Sequence, residues 1–318
     1  MHSVAWSDIV AARRRIAPHT HRTPVMTSQT LNDRCNATVF LKCENFQRSG
    51  SFKFRGATNA VASLSPKERL RGVYAHSSGN HAQALALAAF LHDVPSTIVM
   101  PEDANRTKIE ATRNYGASIT FCEPTHEARW QAAERVGKET GATLIHPHDD
   151  PRVIAGQGSA VCELLEEIGP VDLVLAPLGG GGLLSGTLIA AKHLLPGLTV
   201  IGCEPAEADD AYRSLESGHR ITDFVPHTIA DGLRTPLGEK PFEIIRDLVD
   251  EIVLVSEDQI VAAMRFVWER MKIIIEPSSA VAVAPLLSRT LDTEAKRIGV
   301  ILSGGNADLT NFFTHRSL

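Results

Sequence analysis

Apolar residues in this chain follow two rhythms that take turns. Short, near-continuous runs rich in Val, Ile and Leu lie at 38–43, 72–77, 96–100, 118–122 and 143–146, and each reads as a strand. Between them, at 80–92, 106–115 and 126–139, apolar positions recur every three or four residues, as on one face of a helix. A helix is also predicted at 54–64, and an amphipathic one near the N-terminus carries Arg13, Arg14 and Arg15 on its solvated face. After Pro151 the alternation resumes. Strands fall at 171–178 and 199–203, helices at 156–168, 183–194, 258–271 and 278–287, and a last strand at 297–302. Strands apolar on both faces and separated by helices predict an α/β protein with parallel sheets covered on both sides. No internal repeat, low-complexity tract or long linker interrupts this pattern, and the Pro-rich stretch 146–151 is the best-marked crossing between domains.

Composition narrows the function classes. The 318 residues give room for two domains and a large core. Basic and acidic residues are interspersed with a net charge of -5, and no basic block is interleaved with aromatics, so no nucleic-acid partner is expected. No apolar run approaches the ~20 residues of a membrane span, and residues 1–17 lack the apolar core of a signal peptide. A cytoplasmic location is therefore expected. The five cysteines (Cys35, Cys43, Cys122, Cys162 and Cys203) are widely spaced without a C-x-x-C pair, and are expected to be buried free thiols.

Four segments carry candidate chemistry. In Ser51-Phe52-Lys53-Phe54-Arg55-Gly56, one lysine stands between small and aromatic neighbours at a helix start. A partly desolvated amine there loses its proton readily and becomes nucleophilic towards an aldehyde; taken alone, the hexapeptide reads better as a surface lysine at a helix start. Gly179, Gly180, Gly181 and Gly182 follow one strand and open a helix, so bare N–H groups at its positive end form a phosphate cup, with a loop that merely allows close packing as the other reading. The cup lacks both the Lys-Ser/Thr of a P-loop and the G-x-G-x-x-G of a dinucleotide site, which disfavours nucleoside triphosphate and NAD. Ser77, Ser78, Gly79, Asn80 and His81 join another strand to a helix and suit a carboxylate and a ring oxygen, although plain helix capping explains them too. Ser303-Gly304-Gly305-Asn306 closes the last strand, at the carboxyl edge where α/β sheets place ligands.

Glu204 follows the strand 199–203, with Asp209 and Asp210 just beyond. Two carboxylates and a free carbonyl at that spacing suit a hard divalent cation, and an acidic, solvated helix start accounts for them equally well. His19, His21, His146 and His148 show no transition-metal spacing and read as surface or structural residues.

S-F-K-F-R-G, S-S-G-N-H-A-Q, G-G-G-G-L and S-G-G-N, in this order, resemble the serine/threonine dehydratase and serine racemase family, which includes 3-hydroxyaspartate dehydratases. These are fold-type II pyridoxal phosphate enzymes with a tryptophan synthase β-like fold. The resemblance runs from about Ile9 to Asn306 and includes I-A-G-Q-G at 154–158, I-A-D-G at 229–232 and I-E-P at 275–277. It implies a large cofactor-binding domain from residues 1–70 and 150–318 and a small mobile domain from 71–149.

By resemblance, Lys53 carries pyridoxal 5'-phosphate in Schiff-base linkage and Phe52 packs beside its ring. Asn80 bonds the ring hydroxyl, Gly179–Gly182 and Leu183 hold the phosphate, and Ser303 meets the pyridine nitrogen. A serine there stabilises the pyridinium less than an aspartate does, which favours prompt β-elimination over transamination. Ser78 faces Lys53 across the substrate plane, and Ser77, Gly79, His81 and Arg129 fall at substrate positions. Arg129 aligns near a second carboxylate of the substrate, with a plain surface arginine as the other reading. Glu204, Asp210 and the Ala208 carbonyl match a Mg2+ site that also suits Ca2+ or Mn2+.

The resemblance further implies a homodimer acting on a small amino acid, and leaves a nucleotide effector open because Gln83, Lys272 and Asn306 fit that site only loosely. The chain ends soon after Asn306, without the regulatory domain of biosynthetic threonine dehydratases, which suggests amino-acid catabolism. His148 stands where serine racemases often carry Asn, which weakens a pure racemase assignment. The leading expectation is an ammonia-lyase that dehydrates L-threonine, L-serine or 3-hydroxyaspartate to a keto acid and ammonia. A racemase using Lys53 and Ser78 comes second, and a non-catalytic binding protein on the same fold third.

Overall fold

The computed structural model describes residues 2–104 and 106–308. Among these residues ten strands form two sheets: β1 (Val25–Met26), β2 (Thr38–Cys43), β3 (Val73–His76), β4 (Ser96–Pro101), β5 (Ser118–Cys122), β6 (Thr143–Leu144), β7 (Leu173–Pro177), β8 (Thr199–Pro205), β9 (Glu251–Val255) and β10 (Arg297–Leu302). The larger sheet has the order β1-β2-β10-β7-β8-β9 and the smaller β5-β4-β3-β6. Every pairing is parallel except that of β1 with β2.

The central strands of the larger sheet are buried on both faces, which is why they lack polar alternation, whereas the edge strand β5 of the smaller sheet is partly exposed. Along β7, Leu173 and Leu175 enter one apolar cluster with Leu41, Cys203 and Val300. Val174 and Ala176 enter the opposite one with Val200 and Ile301. All five cysteines are buried free thiols. Among the described residues no helix is long and apolar enough to cross a membrane.

The helix Lys53–Ala62 crosses the helix Pro151–Gln157 closely, and a Cβ on Gly156 would stand 2.6 Å from the Gly56 Cα. Beneath this crossing lies a buried charge network. Arg55 donates to Glu44 at 2.7 Å and to Glu163 at 2.7 Å, while Lys42 reaches Glu163 at 2.8 Å. These bonds fix the backbone two residues beyond Lys53.

Several elements differ from the sequence pattern. The helix expected at 54–64 starts one residue earlier, at Lys53. The helix expected at 156–168 is broken at Gly158 into Pro151–Gln157 and Ser159–Ile168, and 278–287 becomes the short helices Pro277–Ala280 and Ala284–Leu287. The pattern misses β9, whose run Ile252–Val255 directly follows the apolar face of the helix Glu239–Leu248. A short apolar run beside a helix carries no periodicity of its own.

Candidate active site

The strand order delivers the sequence motifs to common edges. In the larger sheet β2, β10 and β7 are neighbours, and their carboxyl ends lead to Lys53, Ser303 and Gly179 respectively. In the smaller sheet β3 and β6 are neighbours and lead to Ser77–Asn80 and to His146–His148. All of these segments line one cavity of about 680 Å³. It holds Phe52, Lys53, Ser77, Ser78, Gly79, Asn80, His81, Arg129, the four glycines, Leu183 and Ser303, all singled out from sequence.

Lys53 is half-buried; its Nζ donates to the Pro147 carbonyl at 2.8 Å and lies 5.1 Å from the centroid of the Phe52 ring. Burial lowers its pKa from 10.5 to about 8, against the opposing pull of the Glu276 charge. The amine therefore sheds its proton far more easily than a solvated lysine.

The glycine loop has no room for side chains. A Cβ on Gly179 would stand 2.8 Å from the Leu233 Cα, one on Gly180 would overlap the His148 ring, and one on Gly181 would stand 2.6 Å from the Pro241 Cβ. Gly181 also adopts φ 84°, a left-handed conformation that favours glycine. The loop opens the buried helix Gly182–Leu194, so its backbone N–H groups and helix dipole favour an anion. A glycine cradle at a helix start beside a low-pKa lysine fits a phosphorylated aldehyde such as pyridoxal phosphate.

Opposite the loop, Asn80 Nδ2 donates to Glu276 Oε1 at 2.8 Å, and Asn80 Oδ1 accepts from Asn306 Nδ2 at 2.9 Å. Asn306 Nδ2 also donates to the Ser49 carbonyl at 2.8 Å. Ser303 is buried; its carbonyl accepts from Phe52 N at 2.9 Å, and Gly304 bridges Ser51. The segments around Lys53 and Ser303 are thus tied together by backbone. Glu276 is buried, and desolvation lifts its pKa to about 7 against the hydrogen bond from Asn80. Sequence marks it as the acid of the I-E-P motif at 275–277, and its part in the Asn80 network appears only in three dimensions.

The sequence leaves His146 and His148 open between surface and structural roles. His146 and His148 both line the cavity, and His148 is buried, its ring flush against Gly180. Their ring centroids stand 4.5 Å apart. Burial lowers the pKa of His146 and pushes that of His148 well below its usual value. His81 falls to about 3 by burial and the neighbouring Lys53 charge, with its Nε2 2.9 Å from the Ile145 carbonyl. All three are neutral at pH 7. Arg129 is half-buried on the helix His126–Thr140, and its Nε has no hydrogen-bond partner among the described residues.

Glu204, Ala208 and Asp210 are buried outside the cavity. Glu204 closes β8 and accepts from the backbone of Ala211 at 2.9 Å and Tyr212 at 2.8 Å. Asp210 Oδ2 accepts from Leu237 N at 2.8 Å, and its Oδ1 has no partner among the described residues. Burial raises the pKa of Glu204 well above the carboxylate range and that of Asp210 to about 6. No group of three or more His, Cys, Asp or Glu side chains stands together as a metal site among the described residues. Two buried carboxylates, one with an unsatisfied oxygen, still fit a hard cation completed by a carbonyl and waters.

Comparison with known proteins agrees with this geometry. A family described as pyridoxal-phosphate dependent enzyme matches residues 16–304. A beta-hydroxyaspartate dehydratase from Paracoccus denitrificans is 46% identical over 97% of this chain and 98% of its own. An L-threo-3-hydroxyaspartate ammonia-lyase from Saccharomyces cerevisiae is 48% identical over 97% of this chain and 95% of its own. The crystal structure of serine racemase from Dictyostelium discoideum superimposes with a TM-score of 0.93 at 47% identity, covering 96% of this chain and 99% of that one.

Proposed function

Because this chain belongs to the pyridoxal-phosphate dependent enzymes, we propose that it is an ammonia-lyase that dehydrates a β-hydroxy amino acid, with 3-hydroxyaspartate as its preferred substrate. The observation that carries the choice is Arg129. Its half-buried guanidinium lines the cavity with an unpaired Nε, so a substrate with a second carboxylate supplies the missing partner. Two of the relatives above act on hydroxyaspartate by name.

Pyridoxal phosphate, when bound, supplies an electron sink for the substrate α-carbon. Lys53 would hold it covalently, the backbone of Gly179–Gly182 and Leu183 would hold its phosphate, Asn80 its ring oxygen, and Ser303 its ring nitrogen. With substrate in place, the Lys53 amine would take the α-proton as general base. A pKa near 8 leaves it a proton acceptor close to neutral pH. The hydroxyl needs one proton to leave as water, which balances the one that Lys53 takes from the α-carbon. The released enamine tautomerises to an imine and hydrolyses to the keto acid and ammonia. The neutral histidines add no competing charge beside Lys53.

Ser78 lines the cavity with Lys53 and gives a second reading: a proton returned from the opposite face makes racemisation a side reaction. The Glu204, Asp210 and Ala208 site is read as holding Mg2+ or Ca2+ in a structural role, away from the reacting atoms. The reading extends to a cytoplasmic homodimer with a small mobile domain around β3 to β6, whose closure excludes water. The deciding experiment measures keto acid and ammonia release by cofactor-loaded enzyme across L-serine, D-serine, L-threonine and the four 3-hydroxyaspartate isomers. Preference for one hydroxyaspartate isomer, abolished in Lys53→Ala and weakened in Arg129→Ala, is expected. Turnover by Lys53→Ala with an unchanged cofactor absorption band would sink the scheme.

A further inference from the structure

The helix Arg106–Asn114, which joins β4 to β5, carries Lys108 at the cavity wall. Across from it, the single-turn helix Asp231–Leu233, between β8 and β9, carries Asp231. Lys108 Nζ donates to Asp231 Oδ2 at 2.6 Å, so one ion pair links the two sheets' elements over the cavity. Both charges act on Glu276, Lys108 lowering its pKa and Asp231 raising it, which puts the pair near the Asn80–Glu276 bond.

We propose that Lys108 is a specificity residue for the distal carboxylate of the substrate, and that Asp231 holds that place when no substrate is bound. This rests on the dicarboxylate reading of the site. Arg220 and Arg234, also in the cavity wall, differ from Lys108 in their partners. Arg220 donates to the Leu237 carbonyl at 3.0 Å and Arg234 to the Thr228 carbonyl at 2.8 Å, bonds that brace the surrounding loops. Lys108 is held by a carboxylate whose side chain is 44% exposed, and a pair of this kind is weakly held. An incoming carboxylate replaces Asp231 like for like, so Lys108 stays paired and Asp231 turns to water. Serine or threonine offers no such exchange, and the pair stays closed against it. With Arg129, Lys108 gives the site two cations for one substrate carboxylate, both on the small-sheet side of the cavity.

The test compares cofactor-loaded wild type, Lys108→Met and Asp231→Asn, measuring kcat/KM for L-threo-3-hydroxyaspartate and for L-serine. Succinate protection against thermal unfolding is measured in parallel. Lys108→Met should lower the hydroxyaspartate-to-serine ratio on the order of tenfold and weaken the rise in Tm given by succinate. Asp231→Asn should move the ratio the opposite way, because the internal competitor is gone. Equal loss on both substrates in both variants makes the pair a latch that only closes the cleft and overturns the assignment. An unchanged ratio and unchanged succinate protection overturn it too. If wild type prefers serine, the dicarboxylate reading itself fails; if it prefers hydroxyaspartate but Lys108→Met keeps that preference, only the role of Lys108 fails.

Discussion

The state of Lys53 before the cofactor arrives gives a direct test of the site. Burial lowers its pKa to about 8, from 10.5 for a solvated lysine, with the Glu276 charge pulling the other way. Only the neutral amine attacks an aldehyde. At pH 7 an amine with this pKa is roughly 9% neutral, against roughly 0.03% for an ordinary lysine, an advantage of about 300-fold. Below pH 8 the neutral fraction rises tenfold per unit, and above pH 8 it flattens. The rate at which apoenzyme takes up pyridoxal phosphate should follow that curve.

The assay mixes apoenzyme with cofactor between pH 6 and 10 and follows the Schiff-base absorption band. A small alkylamine run beside it removes the cofactor's own ionisations from the profile. The expected result is a plateau beginning near pH 8. A rate still climbing tenfold per pH unit through pH 9.5 would mean the amine is solvated, and the desolvation argument for Lys53 would fail with it.

Three further outcomes follow from contacts in and around the cavity. Glu276→Gln keeps an acceptor for Asn80 but removes the charge that holds the Lys53 pKa up, so the uptake profile should shift to lower pH, whereas Glu276→Ala leaves Asn80 Nδ2 without this partner and should cost about 1–3 kcal/mol in a denaturant melt. Gly180→Ala drives a methyl into the His148 ring and should cost about 1–3 kcal/mol with weaker cofactor binding; His148→Ala in the same chain should recover much of that loss, and additive losses in a double-mutant cycle would place the clash elsewhere. Mg2+ or Ca2+ at a hundredfold excess over its Kd should stabilise the fold by roughly 2.7 kcal/mol, a rise in Tm that chelator reverses and Asp210→Asn lacks; no change in Tm with either ion would remove the cation from Glu204 and Asp210.

The parts of the site legible in sequence are those whose chemistry is local. Gly179–Gly182 announce a side-chain-free turn before a helix, and Lys53 stands at the start of a helix in a distinctive hexapeptide. Their convergence depends on the order β2-β10-β7, which no single window of sequence contains. His146 and His148 read as surface or structural residues because a Pro-flanked His-x-His does not show which way its rings face. Only the pairing of β6 with β3, and the bare Cα of Gly180, bury His148 against the glycine loop. Glu276 and Asp231 were legible as parts of motifs but not as partners of Asn80 and Lys108, since both pairings cross from one sheet's elements to the other's.

Charge in the cavity is layered, and the layering gives the reaction a direction. Around Lys53 the histidines carry little charge near pH 7, because burial lowers the pKa of His81, His146 and His148, while Glu276, with a pKa of about 7, is half ionised. Fixed charge lies in the wall, at Arg129 and at the Lys108–Asp231 pair. A substrate with a second carboxylate is drawn to that wall and leaves its amino end for Lys53. The proton taken from the α-carbon then passes to an amine with no fixed cation bonded to it. A cation introduced beside Lys53 should lower its basicity further and slow proton removal more than binding. Replacing His148 by Lys is the sharpest form of that change, because the 148 side chain lines the same cavity. Its kcat should fall in a way that recovers with rising pH as the new amine loses its proton. A kcat that stays low across the whole pH range would assign His148 to shape, and not to charge.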